Sequence, residues 1–171
     1  MARTLFSHKR YFQAMHGYER PGMPCETAIA YAYYLLEKAH GIPVCNRVTD
    51  NERRSAHAKV AKSFLASARE TTILRERNVY YCIAAEAFIV LEDHTHAAQA
   101  FEKASKFMEV AQHYHLAGMF NETVSVIKNH SDAMDCSVME KLTDIARYFY
   151  LEWGDLKFVT VFPCYSYYLS R

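Results

Sequence analysis

Apolar residues recur at three- and four-residue steps along most of the chain, the spacing that lays a stripe down one side of an α-helix. From Glu26 to His40 the stripe is Ala28, Ala32, Leu35, Leu36 and Ala39; Pro24 opens this helix, and Gly41 with Pro43 closes it. A long charged segment from Asp50 to Arg77 carries Ala56, Val60, Ala61, Phe64, Leu65 and Ala68 on one face and is expected to be a single helix. A third helix is predicted over 79–91, with Tyr80, Ala84, Ala87, Phe88 and Leu91 inward. A fourth starts at a cap on Ser131 or Asp132 and runs through Val138, Leu142, Ile145, Ala146, Phe149 and Trp153 to Gly154. Strand patterns are almost absent.

Between residues 85 and 136 the sequence repeats. AQAFEKASKFMEV (98–110) lies over AQHYHLAGMFNET (111–123), pairing Ala98 with Ala111, Phe101 with Tyr114, Ala104 with Ala117, Ser105 with Gly118 and Glu109 with Glu122. Phe88 and Ile127 extend the thirteen-residue register outward. An unbroken helix would rotate the motif by roughly 220° per copy and smear its buried stripe, so each unit must contain a turn. The predicted unit is one short helix and a tight connection, two units forming a hairpin with Ala104 and Ala117 at the crossings. Glu109 and Glu122 then fall in first turns, where a carboxylate favours the helix dipole. The junction recurs at 18–28, where Tyr18, Gly22, Met23, Glu26 and Thr27 correspond to Tyr114, Gly118, Met119, Glu122 and Thr123.

Composition narrows the class. The 171 residues are 51% hydrophobic and 23% charged, with 20 Lys+Arg against 19 Asp+Glu, which excludes disorder over most of the chain and gives no global field for polyanions. Five scattered cysteines, Cys25, Cys45, Cys82, Cys136 and Cys164, form neither a disulfide framework nor a metal knuckle, and no apolar run has the length of a signal peptide or a membrane span. An intracellular chain, in cytoplasm or nucleus and without a membrane partner, is the expectation.

Candidate chemistry is sparse. Neither GxxxxGK[ST] nor GxGxxG occurs among the five glycines, and HExxH is absent, so no catalytic residue and no cofactor are assigned. His94-x-His96 and His113-x-His115 are the best metal candidates, but residues two apart on a helix diverge by about 200° and cannot chelate together, so no metal site is assigned. The segment 50–77 holds seven basic residues against four acidic ones, and Arg53, Arg54, Lys59, Lys62 and Arg69 are the candidate basic contact face. Tyr33, Tyr34, Tyr80, Tyr81, Tyr148 and Tyr150 stand at adjacent or alternate positions, so some of them are expected to face outward.

The pattern A-x-x-[FY]-x-x-A-[GS]-x-[FM]-x-E-x-[AV] resembles tetratricopeptide-like helical repeats. More narrowly, HGYERPGMPCETAIAYAYYLLEKA, the basic helix and YYCIAAEAFIVLEDHTHAAQAFEKASKFMEVAQHYHLAGMF are similar to the helical-repeat region of large fungal proteins carrying a UvrD-type helicase module. The resemblance spans about residues 10–153. It implies an all-α, antiparallel helical-hairpin solenoid in a right-handed stack over 1–154. The irregular tail over 155–171 matches none of the repeat units, and two readings of it stand: a final packed or frayed strand, or the truncation boundary of a piece of a longer chain. The implied role is a non-catalytic scaffold binding a protein partner or neighbouring domains of its parent; nucleic-acid contact through the helix at 50–77 is the alternative. The thirteen-residue unit is shorter than half of the usual ~34-residue repeat, so no peptide groove is carried over residue by residue.

Overall fold

The computed structural model describes residues 1–19, 23–43, 45 and 47–152. Every regular element among them is helical: α1 (Ala2–Ser7), α2 (Tyr11–Glu19), α3 (Pro24–His40), α4 (Arg47–Glu70), α5 (Leu74–Val90), α6 (His94–Lys103), α7 (Phe107–Leu116), α8 (Phe120–His130), a 3-10 turn at Ser131–Ala133, and α9 (Cys136–Glu152). The expected tail at 155–171 lies outside the described residues, as do Gly22, Trp153 and the side chains of Ala146, Tyr148, Phe149 and Tyr150.

The thirteen-residue register is a structural one. α6, α7 and α8 begin at His94, Phe107 and Phe120, and the residue two before each start has a left-handed backbone: Glu92 at φ 60°, Ser105 at 58° and Gly118 at 73°. In each turn the next N–H reaches back five residues, from Asp93 to the Phe88 carbonyl (3.0 Å), Lys106 to Phe101 (3.0 Å) and Met119 to Tyr114 (2.9 Å). These are Schellman closures, which satisfy carbonyls left open at a helix end. Met23 bonds to Tyr18 in the same way (3.2 Å), so the junction seen at 18–28 carries the same bond; the Thr27 and Thr123 hydroxyls both donate to the carbonyl four residues back, at 2.8 and 2.9 Å. A further copy, with Lys9 at φ 59°, joins α1 to α2.

Only glycine takes a left-handed backbone without a Cβ penalty. Ser105→Gly is therefore expected to stabilise the chain by up to about 1 kcal/mol, and Gly118→Ala to destabilise it by about 1 kcal/mol. A Cβ at Gly118 would meet nothing within 4 Å, so the cost there is conformational alone. Urea denaturation measures both, and the same sign for the two changes would contradict the shared turn.

Two expectations change. The charged segment is not one helix: α4 ends at Glu70, Thr71–Ile73 are non-helical, and Arg75 and Arg77 belong to α5. Three consecutive β-branched residues, stiff at χ1 and weak helix formers, sit at the break, and Ile73 takes an extended backbone. The cap before α9 is Asp135 rather than Ser131 or Asp132; its Oδ1 accepts from the Ser137 N–H (2.9 Å) and hydroxyl (2.7 Å), which holds its carboxyl below the ordinary value. Adjacent Tyr80 and Tyr81 are both buried, because α5 is flanked by α4 and α6. Tyr33 and Tyr34 are half-buried.

The core is handed along the chain. Ala14, Tyr18 and Ala30 join α2 to α3; Ala32, Phe64 and Ala84 belong to the cluster joining α3, α4 and α5; Ala85, Ala98 and Val110 to that joining α5, α6 and α7; Ala111, Ile127 and Leu142 to that joining α7, α8 and α9. The positions one period apart, Ala85, Ala98, Ala111 and Val124, are all buried. Small side chains there let successive helices approach closely.

Candidate functional site

The five basic candidates do not share a face. With about 100° per residue, Lys59, Lys62 and Arg69 lie within about 80° of one another and about 140–160° from the buried Phe64, so they share the solvent side of α4. All three are exposed. Arg53 stands only about 20° from Phe64 and Arg54 about 80°. Arg53 pairs with Asp50 at 3.5 Å, while Arg54 donates from Nη2 to the Leu91 carbonyl at 2.7 Å and approaches Glu92 at 3.5 Å. Arg54 thus caps the C-terminus of α5, where a cation meets open carbonyls and the negative end of the dipole. Periodicity places Arg53 on the inner stripe, a signal that total charge conceals.

The histidines are partnered between helices rather than within either His-x-His pair. His94 opens α6 and His113 lies in the last turn of α7, and the hairpin folded at Ser105 sets their Nδ1 atoms 3.2 Å apart. Their ring planes differ by 16° and the centroids are 5.3 Å apart. A centroid lies about 1.1 Å from its own ring nitrogen, so the rings meet edge to edge in one plane and share one proton, one Nδ1 donating and the other accepting. A metal about 2.1 Å from both nitrogens would lie well off both lone-pair axes. Among the described residues no group of three or more His, Cys, Asp or Glu is placed to hold a metal ion. The next hairpin repeats the contact in another form: Phe107 opens α7, His130 closes α8, and their rings stack at 3.5 Å.

Burial holds His113 below the ordinary imidazole value, with His94 lowering it further and Glu109 opposing. Burial also lowers His57, aided by His40 and Arg53, and the His57 Nδ1 has no hydrogen-bond partner among the described residues. Groups with a depressed folded pKa stabilise above the unfolded value and lose that contribution as pH falls through the folded one, because the unfolded chain then binds more protons. The melting temperature is therefore expected to fall as pH drops below about 6.5, before carboxylates titrate. His57→Gln should flatten that decline; an unchanged slope would exclude His57 as its source.

Cys25, Cys45 and Cys136 are exposed free thiols, and the half-buried Cys82 is pushed up chiefly by burial, the opposite of nucleophile activation. Cys164 lies outside the described residues. No helix among the described residues is long and apolar enough to cross a membrane.

A groove of about 740 Å³ between α2 and α3 is lined by Met15, Met23, Pro24 and Tyr31. A second, of about 620 Å³, is formed by α1, α2, α3 and the junction of α4 with α5. Phe6, Tyr18 and Tyr80 supply its aromatic wall, and Glu26, Glu70 and Glu76 its acids. Tyr80 there is pushed up to about 12, first by burial and then by Glu76 and Tyr33. Sequence reading assigned nothing to this groove, whose walls come from four separated segments.

In comparisons with known proteins, the chain matches no family model, no curated protein and no solved structure.

Proposed function

We propose that this chain is a non-catalytic, tetratricopeptide-like solenoid that serves as a protein-interaction scaffold within a larger protein. One observation carries the reading: the same left-handed closure returns at thirteen-residue spacing, while core clusters pass from helix to helix along the chain. Short helices are marginal alone, and stacking each on its neighbours gives them a shared core. The likeness of the repeat to the helical region of fungal UvrD-type helicase proteins supports a parent of that kind and a right-handed stack. The ATP chemistry of such a parent would reside in another part of it, since these glycines cannot form a phosphate cradle. The nucleic-acid alternative is weakened by the engagement of Arg53 and Arg54 within the fold.

A one-dimensional array opens from its ends. Native-state hydrogen exchange is expected to show the strongest protection in α4 and α5, grading down toward α1 and α9, with no saturable heat on titrating MgATP. Uniform protection would end the array reading, and saturable ATP binding lost on unfolding would end the non-catalytic one.

A further inference from the structure

We propose that the groove between α1, α3 and the α4–α5 junction docks a cationic, partly apolar peptide segment of a partner protein. This rests on the scaffold reading and gives it a surface.

Charge decides the occupant. Glu26, Glu70 and Glu76 line the groove against one basic residue, Arg3, and none of the three carboxylates is in an ion pair among the described residues. The larger neighbouring groove differs: its single carboxylate, Glu19, is engaged by His16 at 3.0 Å. Helix chemistry accounts for Glu26 and Glu76, which sit in the first turns of α3 and α5. It does not account for Glu70, the last residue of α4, where a carboxylate faces the negative end of the dipole. Apolar or anionic cargo would strip water from these carboxylates without compensation. An arginine or lysine supplies the missing partner and also packs against aromatic faces.

Shape supplies the apolar half. The about 620 Å³ groove and an adjoining depression of about 400 Å³ share Phe6, Glu76 and Tyr80; Arg75 lines the depression, so the joined surface holds three carboxylates against the two guanidinium groups of Arg3 and Arg75. Ile73 and Val79 stand on their borders, 55% and 45% exposed, where apolar side chains of a ligand can cover them. Alternating cationic and apolar side chains on one extended segment match this sequence of acid and aromatic surfaces.

The test is fluorescence anisotropy with a fluorescein-labelled peptide of alternating Leu and Arg, about twelve residues long, against the same peptide with Glu for Arg. Saturable binding is expected for the cationic peptide, at least about tenfold tighter than for the acidic one, and weakening as salt rises from about 50 to about 300 mM. The combined Glu26→Gln, Glu70→Gln, Glu76→Gln variant should weaken it about tenfold, and Ile73→Ser, a change at an exposed position, severalfold. Glu86→Gln, Glu102→Gln, Glu140→Gln, which removes three exposed acids elsewhere, should leave it unchanged. Equal losses in the two triple variants, or none in either, would overturn the proposal, as would self-association abolished by Ile73→Ser, which would put a second copy in the groove. Absent binding with a graded hydrogen-exchange profile would overturn the groove and leave the scaffold standing, whereas uniform protection would overturn the scaffold itself.

Discussion

Phe64→Ala is expected to cost about 3–5 kcal/mol, the largest loss from any single side chain here. Phe64 is fully buried in the C-terminal half of α4 and is the largest of the fully buried side chains among the described residues. Its ring lies 5.1 Å from that of Tyr33 on α3, edge to face, and 5.9 Å from that of Tyr80 on α5. Removing it therefore takes away apolar burial and two aromatic contacts, and leaves a cavity between three helices that must each shift to fill it. Phe64→Leu keeps most of the volume and should lose under about 1.5 kcal/mol. Urea denaturation of the three proteins checks the order. A loss below about 1 kcal/mol for the alanine variant would mean that α3, α4 and α5 do not share one core.

Helices with a strong stripe and a clear stop were legible: α3 is bounded by Pro24 and Gly41, and the repeat required a turn in each thirteen-residue unit, which the structure places at Ser105 and Gly118. That worked because a tight closure constrains several neighbours at once and leaves a periodic trace. The same closure at Lys9 went unread, since lysine there carries none of glycine's signal, and α1 and α2 were missed with it. The break at Thr71–Ile73 was hidden because apolar spacing persists on both sides and β-branching is only a weak preference against helix. Burial of both Tyr80 and Tyr81 reflects the position of α5 between two partners, a tertiary fact without a local mark. The same holds for the candidate surface: total charge pointed to α4, whereas the groove gathers Arg3, Glu26, Glu70 and Glu76 from segments far apart in the chain.

Ala104 and Ala117 are equivalent in the repeat, yet Ala104→Asp is expected to cost about 3 kcal/mol and Ala117→Asp under about 1 kcal/mol. Both end helices rather than sit at mid-helix crossings: Ala104 follows the last residue of α6 and Ala117 that of α7. A carboxylate at either opposes the helix dipole, a penalty of up to about 1 kcal/mol that the two share. Burial separates them. Ala104 is 4% exposed and packs into the cluster of Phe64, Tyr81 and Ala84, whereas Ala117 is only half-buried. An aspartate at 104 must therefore lose its hydration among apolar groups, while at 117 water still reaches it. The register thus specifies backbone conformation in every copy, and the neighbouring helix sets the energetic weight of each position. Ala104→Ser, small and neutral, should fall between the wild type and Ala104→Asp. Midpoints from urea denaturation decide it: equal losses at 104 and 117 would show that sequence equivalence extends to burial and that the packing of α6 against α5 is misassigned.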